Sequence, residues 1–251
     1  MNNIQEILLF PVRDAEARKQ FLFACLIVLV GFIIPILPTL VLTGYSVKIM
    51  RQVMEERKNP SMPDMGSSDW SEMLIDGLRL WGTQIVMALP LLLVMGCALV
   101  SIMGGGIWMA IASEENVDAL AAVGILFFFL GFGIMMLFSV LSLPYGVIIT
   151  AAGPHVVTKR SFAAAFQFKD WWEVFRNGLA QFLLSYVILM VLSFVFVFVM
   201  QFAMLTIVLI CLVPFILVPF TAYFTLVTNT LYAQAYLAGK DALEASQHAA
   251  A

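Results

Sequence analysis

Four carboxylates stand in two matched pairs and are the first candidates for acid–base chemistry. Asp69 and Glu72 lie three residues apart, and Asp170 and Glu173 repeat that spacing 101 residues later. Two carboxylates in different environments can serve as general acid and base. An acidic residue followed three positions later by Glu is also typical of a capping box, which satisfies free amides at a helix start. Each pair directly precedes a long apolar run, so we predict helix caps here and no catalytic residue.

The two pairs belong to a repeated motif of ten residues. Residues 69–78 read DWSEMLIDGL and residues 170–179 read DWWEVFRNGL, sharing Asp, Trp, Glu, Gly and Leu. We call this the helix-start motif. It places an indole in the first turn, where a membrane surface favours it, and a glycine where a neighbouring helix can approach. Its predicted structural residues are Asp69, Trp70, Glu72, Gly77, Asp170, Trp171, Glu173 and Gly178.

A polar stripe in the last apolar run is the second candidate site. Hydroxyl groups recur there at helical spacing, and further polar residues lie on the helix predicted to pair with it. The stripe could line a polar cavity or a lipid-headgroup path, or it could form hydrogen bonds between helices. The hydrogen-bonding interpretation is favoured. The candidate residues are Gln181, Ser185, Thr221, Thr225, Thr228, Asn229 and Tyr232.

The remaining candidates have simpler explanations. Gly124, Gly131 and Gly133 flank three phenylalanines, a pattern typical of helix packing. His155 has no Cys or carboxylate neighbour at ligand spacing, which disfavours a metal site. Charged residues inside a membrane usually mark function, yet the long apolar runs contain none. We therefore predict no catalytic residue, no cofactor and no metal, and disfavour an ion-coupled transporter.

Composition defines the elements that hold these residues. Of 251 residues, 62% are hydrophobic and 12% are charged, and the mean hydropathy is +0.99. Soluble domains average about 25% charged residues, so the sequence indicates a multi-pass membrane protein. Uncharged runs cover 20–47, 80–113, 119–158 and 177–239. Three consecutive glycines at 104–106 predict a flexible break at the end of the second run.

We predict an all-α transmembrane helix bundle of three helix hairpins, related as parallel repeats, with about six membrane helices. The first hairpin turns at Pro35 to Pro38 and is short or re-entrant, because 28 apolar residues are few for two crossings. The alternative is a single kinked first span, giving five. The predicted segments are an interfacial helix 1–13, hairpins 14–58, 69–165 and 170–239, and a flexible tail 240–251.

Basic residues predict the orientation of the chain. All 13 Lys and Arg residues fall in the N-terminal segment, the segment after the first apolar run, the 153–176 connection and the tail. The connection at 104–118 and the turn predicted near residues 200–206 contain none. Because basic loops stay in the cytoplasm, we place these four segments and both termini on the cytoplasmic side of the cell membrane.

Several short segments together resemble a known family. They are Phe10-Pro11-Val12-Arg13-Asp14, Pro35-Ile36-Leu37-Pro38, Gly44-Tyr45 before the basic segment, and Asp69-Trp70 with Gly77-Leu78. They resemble a bacterial and archaeal family of multi-pass membrane proteins classified only as a domain of unknown function. More loosely, the layout is similar to the membrane domain attached to some glycerophosphodiester phosphodiesterases. The resemblance implies a multi-pass helical fold and carries over no catalytic residue.

Two functions are therefore expected. The first is a non-enzymatic accessory, assembly or scaffold subunit of a membrane complex, since the spans are free of charge and no chemical constellation is present. The alternative is a carrier for a lipid or small uncharged solute, since transporters are often built from internal repeats. The expected partners are membrane lipids, other membrane subunits or a second copy of the chain, and not nucleic acid.

Overall fold

The computed structural model describes residues 4–34, 36–66, 69–115, 117–204 and 213–250. Within these ranges all regular structure is helical and no strand occurs, which confirms the predicted all-α class. Of the turn predicted at Pro35 to Pro38, Pro35 lies outside the described residues, and the prediction is wrong for the other three residues, which belong to a helix that begins at Ile36. Of the turn predicted near residues 200–206, residues 200–204 are helical and the rest lies outside the described residues.

The described residues contain nine α-helices. They are α1 (Ile4–Leu9), α2 (Ala15–Val30), α3 (Ile36–Met54), α4 (Trp70–Glu115), α5 (Asp118–Ile149), α6 (Ala152–Lys159), α7 (Phe168–Asn177), α8 (Leu179–Met204) and α9 (Val213–Ala250). A short 3-10 helix, Phe162–Phe166, precedes α7. In the described chain, four helical segments are long and apolar enough to cross a membrane: α4, α5 together with α6, α8 and α9. The shorter α2 and α3 are not among them.

The helices group into two compact units, of which the first contains residues up to 84 and from 150 onward. Helix α9 is its centre and packs against α1, α2, α3, α6, α7 and α8. Three alanines of α9, Ala222, Ala233 and Ala235, are wholly buried and let the neighbouring helices approach closely. The larger side chains of this core include Tyr45, Ile49, Leu226 and Leu231.

The N-terminal helix belongs to the same core. Ile7 and Phe10 are buried against it, and Tyr223 of α9 donates a hydrogen bond to the Leu8 carbonyl at 3.0 Å. Helix α2 then begins with Asp14 as its N-cap, whose carboxylate accepts from the Ala17 amide at 2.8 Å. Helix α1 and Phe10 therefore dock on the core around α9 before the chain turns into α2.

Two buried polar side chains hold the connection between α3 and α4. Tyr45 donates its hydroxyl to the Pro63 carbonyl at 2.7 Å. Gln20 donates to Asp64 at 3.1 Å and accepts from the Met65 amide at 3.1 Å. Because buried polar groups need partners, these bonds fix the segment beside the start of α4.

The second unit contains residues 85–149, from α4 and α5. A Cβ on Gly105 would stand 2.6 Å from the Gly124 carbonyl oxygen, and one on Gly131 would stand 2.7 Å from the Ala98 carbonyl oxygen. Tyr145 also donates a hydrogen bond to the Met87 carbonyl at 2.7 Å. Close backbone approach at glycines therefore joins the two helices, as the packing interpretation of Gly124 and Gly131 predicts.

Two expectations about chain breaks are corrected. The break predicted at 104–106 is wrong, since α4 continues to Glu115. Helix α4 is continuous through these three glycines. At Gly105, the backbone of α5 approaches α4 closely. The flexible tail expected from Lys240 is also helical, since α9 extends to Ala250. Lys240 pairs with Glu244 one turn later, and Arg57 forms a bidentate pair with Asp241 at 2.6 Å and 3.2 Å, a geometry that strengthens an ion pair.

Candidate functional site

The first helix-start motif begins α4 as predicted. The Asp69 carboxylate accepts from the Ser71 hydroxyl at 2.8 Å and from the Ser71 amide at 2.9 Å. Both hydrogen bonds hold the pKa of Asp69 below its ordinary value, and the bond from the Ser71 hydroxyl has the larger effect. Trp70 is 49% exposed beside this turn. Glu72 instead accepts a hydrogen bond from Arg51 of α3 at 3.2 Å, so it links two helices.

The second copy of the motif departs from the prediction. Helix α7 begins at Phe168, and Gln167 is its N-cap, so the prediction that Asp170 caps this helix is wrong. The 3-10 helix leads directly into α7, which starts the helix before Asp170 and places this residue inside the first turn. Trp171 is only 3% exposed and donates its indole N–H to the Ala165 carbonyl at 3.2 Å. It is a core residue rather than a headgroup anchor, while Glu173 stays exposed.

The motif glycines make the predicted close contacts. A Cβ on Gly77 would overlap the Leu40 carbonyl oxygen of α3 and stand 3.0 Å from the Gly44 nitrogen. A Cβ on Gly178 would stand 2.8 Å from Gly239 Cα of α9. The first copy continues into one long helix, whereas the second is interrupted at Gly178, between α7 and α8. Both glycines thus lie where two helix backbones cross.

An ionic cluster lies beside the first crossing and was not predicted from the sequence. The Asp76 carboxylate contacts Arg51 of α3 at 2.6 Å and Arg79 of α4 at 3.1 Å. The side chains of Asp76 and Arg51 are only 6% and 15% exposed. One sequence feature could have indicated this cluster: Asp76 directly precedes the motif glycine, whereas the second copy has the uncharged Asn177 there. A buried, hydrogen-bonded pair of this kind fixes how α3 and α4 meet.

His155 forms a second polar junction. It is buried, with Nδ1 2.7 Å from the Tyr236 hydroxyl of α9 and Nε2 3.4 Å from Gln167 Oε1. Because the glutamine oxygen can only accept, the arrangement assigns the proton to Nε2 and lets Nδ1 accept from Tyr236. The histidine therefore joins α6, the start of α7 and α9. In the described part of the chain, no cluster of His, Cys, Asp and Glu could hold a metal ion.

The predicted polar stripe is divided between two environments. Asn229 donates to the Ser46 hydroxyl of α3 at 2.9 Å, and Ser185 of α8 donates to the Leu231 carbonyl at 3.5 Å. These bonds join helices, as the favoured interpretation predicts. Tyr232 packs against the core, Gln181 is half-buried, and the Thr228 hydroxyl is buried with no hydrogen-bond partner among the described residues.

The other two stripe residues line a cavity. Thr221 and Thr225 of α9 face a space of about 300 Å³ together with Thr39 and Thr43 of α3. Val28 of α2 closes another side, together with Gly31 and Phe32, which follow that helix. A wall that mixes four threonines with apolar side chains could receive an uncharged molecule that needs a few hydrogen bonds. The stripe therefore joins helices at one end and lines a cavity at the other.

These features define a helical integral membrane protein. Four of its described helical segments are long and apolar enough to span a bilayer, and several buried polar side chains, among them His155 and Asn229, join different helices. The family model described as "Protein of unknown function (DUF4013)" matches residues 27–208, more than half of the chain, so the chain belongs to this family. The resemblance to a membrane family of unknown function is thereby confirmed. No curated protein and no solved structure matches the chain.

Proposed function

We propose that this protein is a non-enzymatic subunit of a membrane complex that acts by packing against other membrane helices. The supporting observation is a set of glycines with open space where a Cβ would stand. They are Gly96, Gly104 and Gly106 of α4 and Gly133 of α5. Glycine inside a helix costs about 1 kcal/mol relative to alanine, and these four have no compensating contact within the described chain.

Their placement supports a helix-binding face. At roughly 100° of rotation per residue, Gly96 lies on the side of α4 opposite Gly105, which contacts α5, and Gly104 and Gly106 lie at the two edges of that side. Exposed Val100, Met103 and Ile107 lie on the same side. Small residues among apolar ones let a second helix approach in lipid, where van der Waals packing drives association. The occupant would be a helix of another subunit or of a second copy.

Site-specific photocrosslinking in native membranes tests this proposal. A crosslinker at Val100 should give an adduct with one protein, and Gly104→Leu should abolish it by blocking close approach. A crosslinker at Val140, an exposed residue of α5, is the matched control and should give lipid adducts. Co-expression of two differently tagged copies tells a self-contact from a heteromeric one. Lipid adducts at both positions, with a monomer on native gels, would contradict the subunit function.

A second candidate, a carrier for a lipid or small uncharged solute, is favoured by the threonine-lined cavity. Its volume of about 300 Å³ falls at the lower end of the range for ligand pockets, about 300–1,000 Å³. The flux of a lipid or small uncharged solute into reconstituted liposomes should fall in the variants Thr221→Val and Thr225→Val. These changes keep the side-chain shape and remove the hydroxyl. Thr230→Val is the control, because this buried threonine bonds the Leu226 carbonyl away from the cavity. Wild-type liposomes without flux would reject the carrier.

The membrane arrangement is also a proposal. Helices α2 and α3 form the first of three hairpins, short or re-entrant, and the basic segments and both termini face the cytoplasm. The support is the basic residues that flank this hairpin on both sides, Arg13, Arg18 and Lys19 before it and Arg57 and Lys58 after it. The alternative of five spans places the N-terminus outside.

A further inference from the structure

A long apolar groove follows α2 on the outside of the first unit. Its volume is about 600 Å³, within the usual range for ligand sites. One wall is a stripe of α2, including Phe23, Leu26 and Val30, and the other is Leu37 and Val41 of α3. Lys19 and Val30 are eleven positions apart, or about 16 Å along the helix. The groove is therefore elongated and apolar along its length.

The surface beside the groove is apolar. Leu22 and Leu29 of α2, Ile33 and Ile36 are all exposed, and residues 20–47 contain no charge. A continuous exposed apolar surface is typical of sites that contact a membrane or another protein. The groove thus opens on a surface suited to the acyl chains of a bilayer.

The polar end of the groove carries two opposite charges. Lys19 and Asp64 both line it, and Trp70 lies at the same end. Asp64 is held there by its hydrogen bond from Gln20, the residue after Lys19. Lys19 pairs with Glu16 at 3.7 Å, and these side chains are 62% and 63% exposed. Such an exposed pair is weak, so the Lys19 ammonium can turn toward a ligand. An indole beside a cation and a carboxylate is a setting for a lipid headgroup.

We propose that this groove binds one phospholipid with a primary-amine headgroup. The acyl chain would lie along α2, the phosphate would meet Lys19, and the ammonium group would donate hydrogen bonds to Asp64. A choline headgroup has no N–H donor for the carboxylate, and a glycerol headgroup has no cation to match it. This binding requires neither of the functions proposed above, because the lipid can be a fixed part of the folded protein.

The test measures which lipid stays with the protein. The full chain is placed in nanodiscs of equal parts phosphatidylethanolamine, phosphatidylcholine and phosphatidylglycerol, extracted in mild detergent, and examined by native mass spectrometry. We expect one retained phosphatidylethanolamine in the wild type. Leu26→Trp, which fills the groove, should remove it. Leu22→Trp, an equal enlargement of an exposed α2 residue outside the groove, should keep it.

Headgroup variants test the polar contacts. Asp64→Asn keeps an acceptor for Gln20 and removes the charge, so the preference for phosphatidylethanolamine over phosphatidylcholine should fall about tenfold, as expected for one charge-assisted hydrogen bond. Lys19→Gln should weaken retention of all three lipids. Equal retention of the three lipids by the wild type would overturn the proposal. So would a Leu26→Trp protein that elutes as the wild type does and keeps its lipid.

Discussion

Gly77 of α4 rests on Gly44 of α3, so that a Cβ on Gly77 would stand 3.0 Å from the Gly44 nitrogen. A Cβ on Gly44 would in turn overlap the Met73 carbonyl oxygen. The second crossing reproduces this pattern, because a Cβ on Gly239 would overlap the Val174 carbonyl oxygen beside Gly178. Met73 and Val174 occupy the same position in the helix-start motif. In both copies, therefore, the backbone carbonyl of the fifth motif residue lies against a glycine of another helix.

Alanine at the motif glycines should destabilise the protein in detergent. We expect Gly77→Ala to cost about 1–3 kcal/mol, the usual cost of overpacking. Gly178→Ala should cost less, because its Cβ would meet Gly239 Cα at 2.8 Å rather than overlap a carbonyl oxygen. Gly104→Ala is the control, since it has open space and gains helix propensity. Thermal unfolding checks the order, and three equal effects would contradict the close contacts.

The ionic cluster predicts unequal roles for its two acidic residues. Asp76→Asn leaves Arg51 buried beside an uncharged partner, and such changes cost about 3–5 kcal/mol. Glu72→Gln should cost much less, since the Glu72 side chain is 63% exposed and exposed ion pairs contribute little. The double variant Asp76→Leu with Arg51→Met should be more stable than Asp76→Leu alone. A double-mutant cycle by thermal unfolding measures this coupling, and additive losses would show that the pair is not coupled.

The two copies of the motif should respond differently when the acid is replaced. Asp69→Ala should lower the unfolding temperature and Asp170→Ala should not, because only Asp69 caps a helix. The pKa of Asp69 is depressed in the folded state, so its contribution is fully present above the unfolded pKa near 3.9 and is lost as pH falls from there through the lower folded-state pKa. The difference between Asp69→Ala and the wild type should therefore shrink progressively as the pH is lowered through this acidic range. A difference independent of pH would contradict a charged cap.

Membrane topology can be checked with single cysteines in a cysteine-free background. An impermeant reagent applied outside the cell should modify Glu115→Cys and should leave Lys58→Cys and Lys169→Cys unmodified. Glu6→Cys discriminates between the two arrangements of the first apolar run. Protection from outside agrees with three hairpins, and modification from outside supports five spans. Labelling after permeabilisation confirms that each protected cysteine is accessible from the cytoplasm.

The sequence predicts local features of this fold better than its long-range contacts. Asp69 caps α4 because its hydrogen bonds reach only two residues ahead, so the local pattern contains the needed information. Trp171 has the same local pattern but is buried, because the helix before it and α9 decide which face of α7 is covered. The Asp76–Arg51 pair joins residues on two helices with a connection between them. No local sequence pattern tells these two buried charged side chains from charged side chains that are exposed to water.

Helix α9 has a consequence for how the protein is made. A ribosome delivers α1, α2, α3, α6 and α7 before it, yet all of them pack against α9 in the finished molecule. Until α9 is made, Ser46 and Arg57 lack the hydrogen-bond partners that Asn229 and Asp241 provide. We therefore expect the earlier helices to associate only loosely with one another until α9 is in place. The core of this unit is then complete only once α9 has joined the helices made before it.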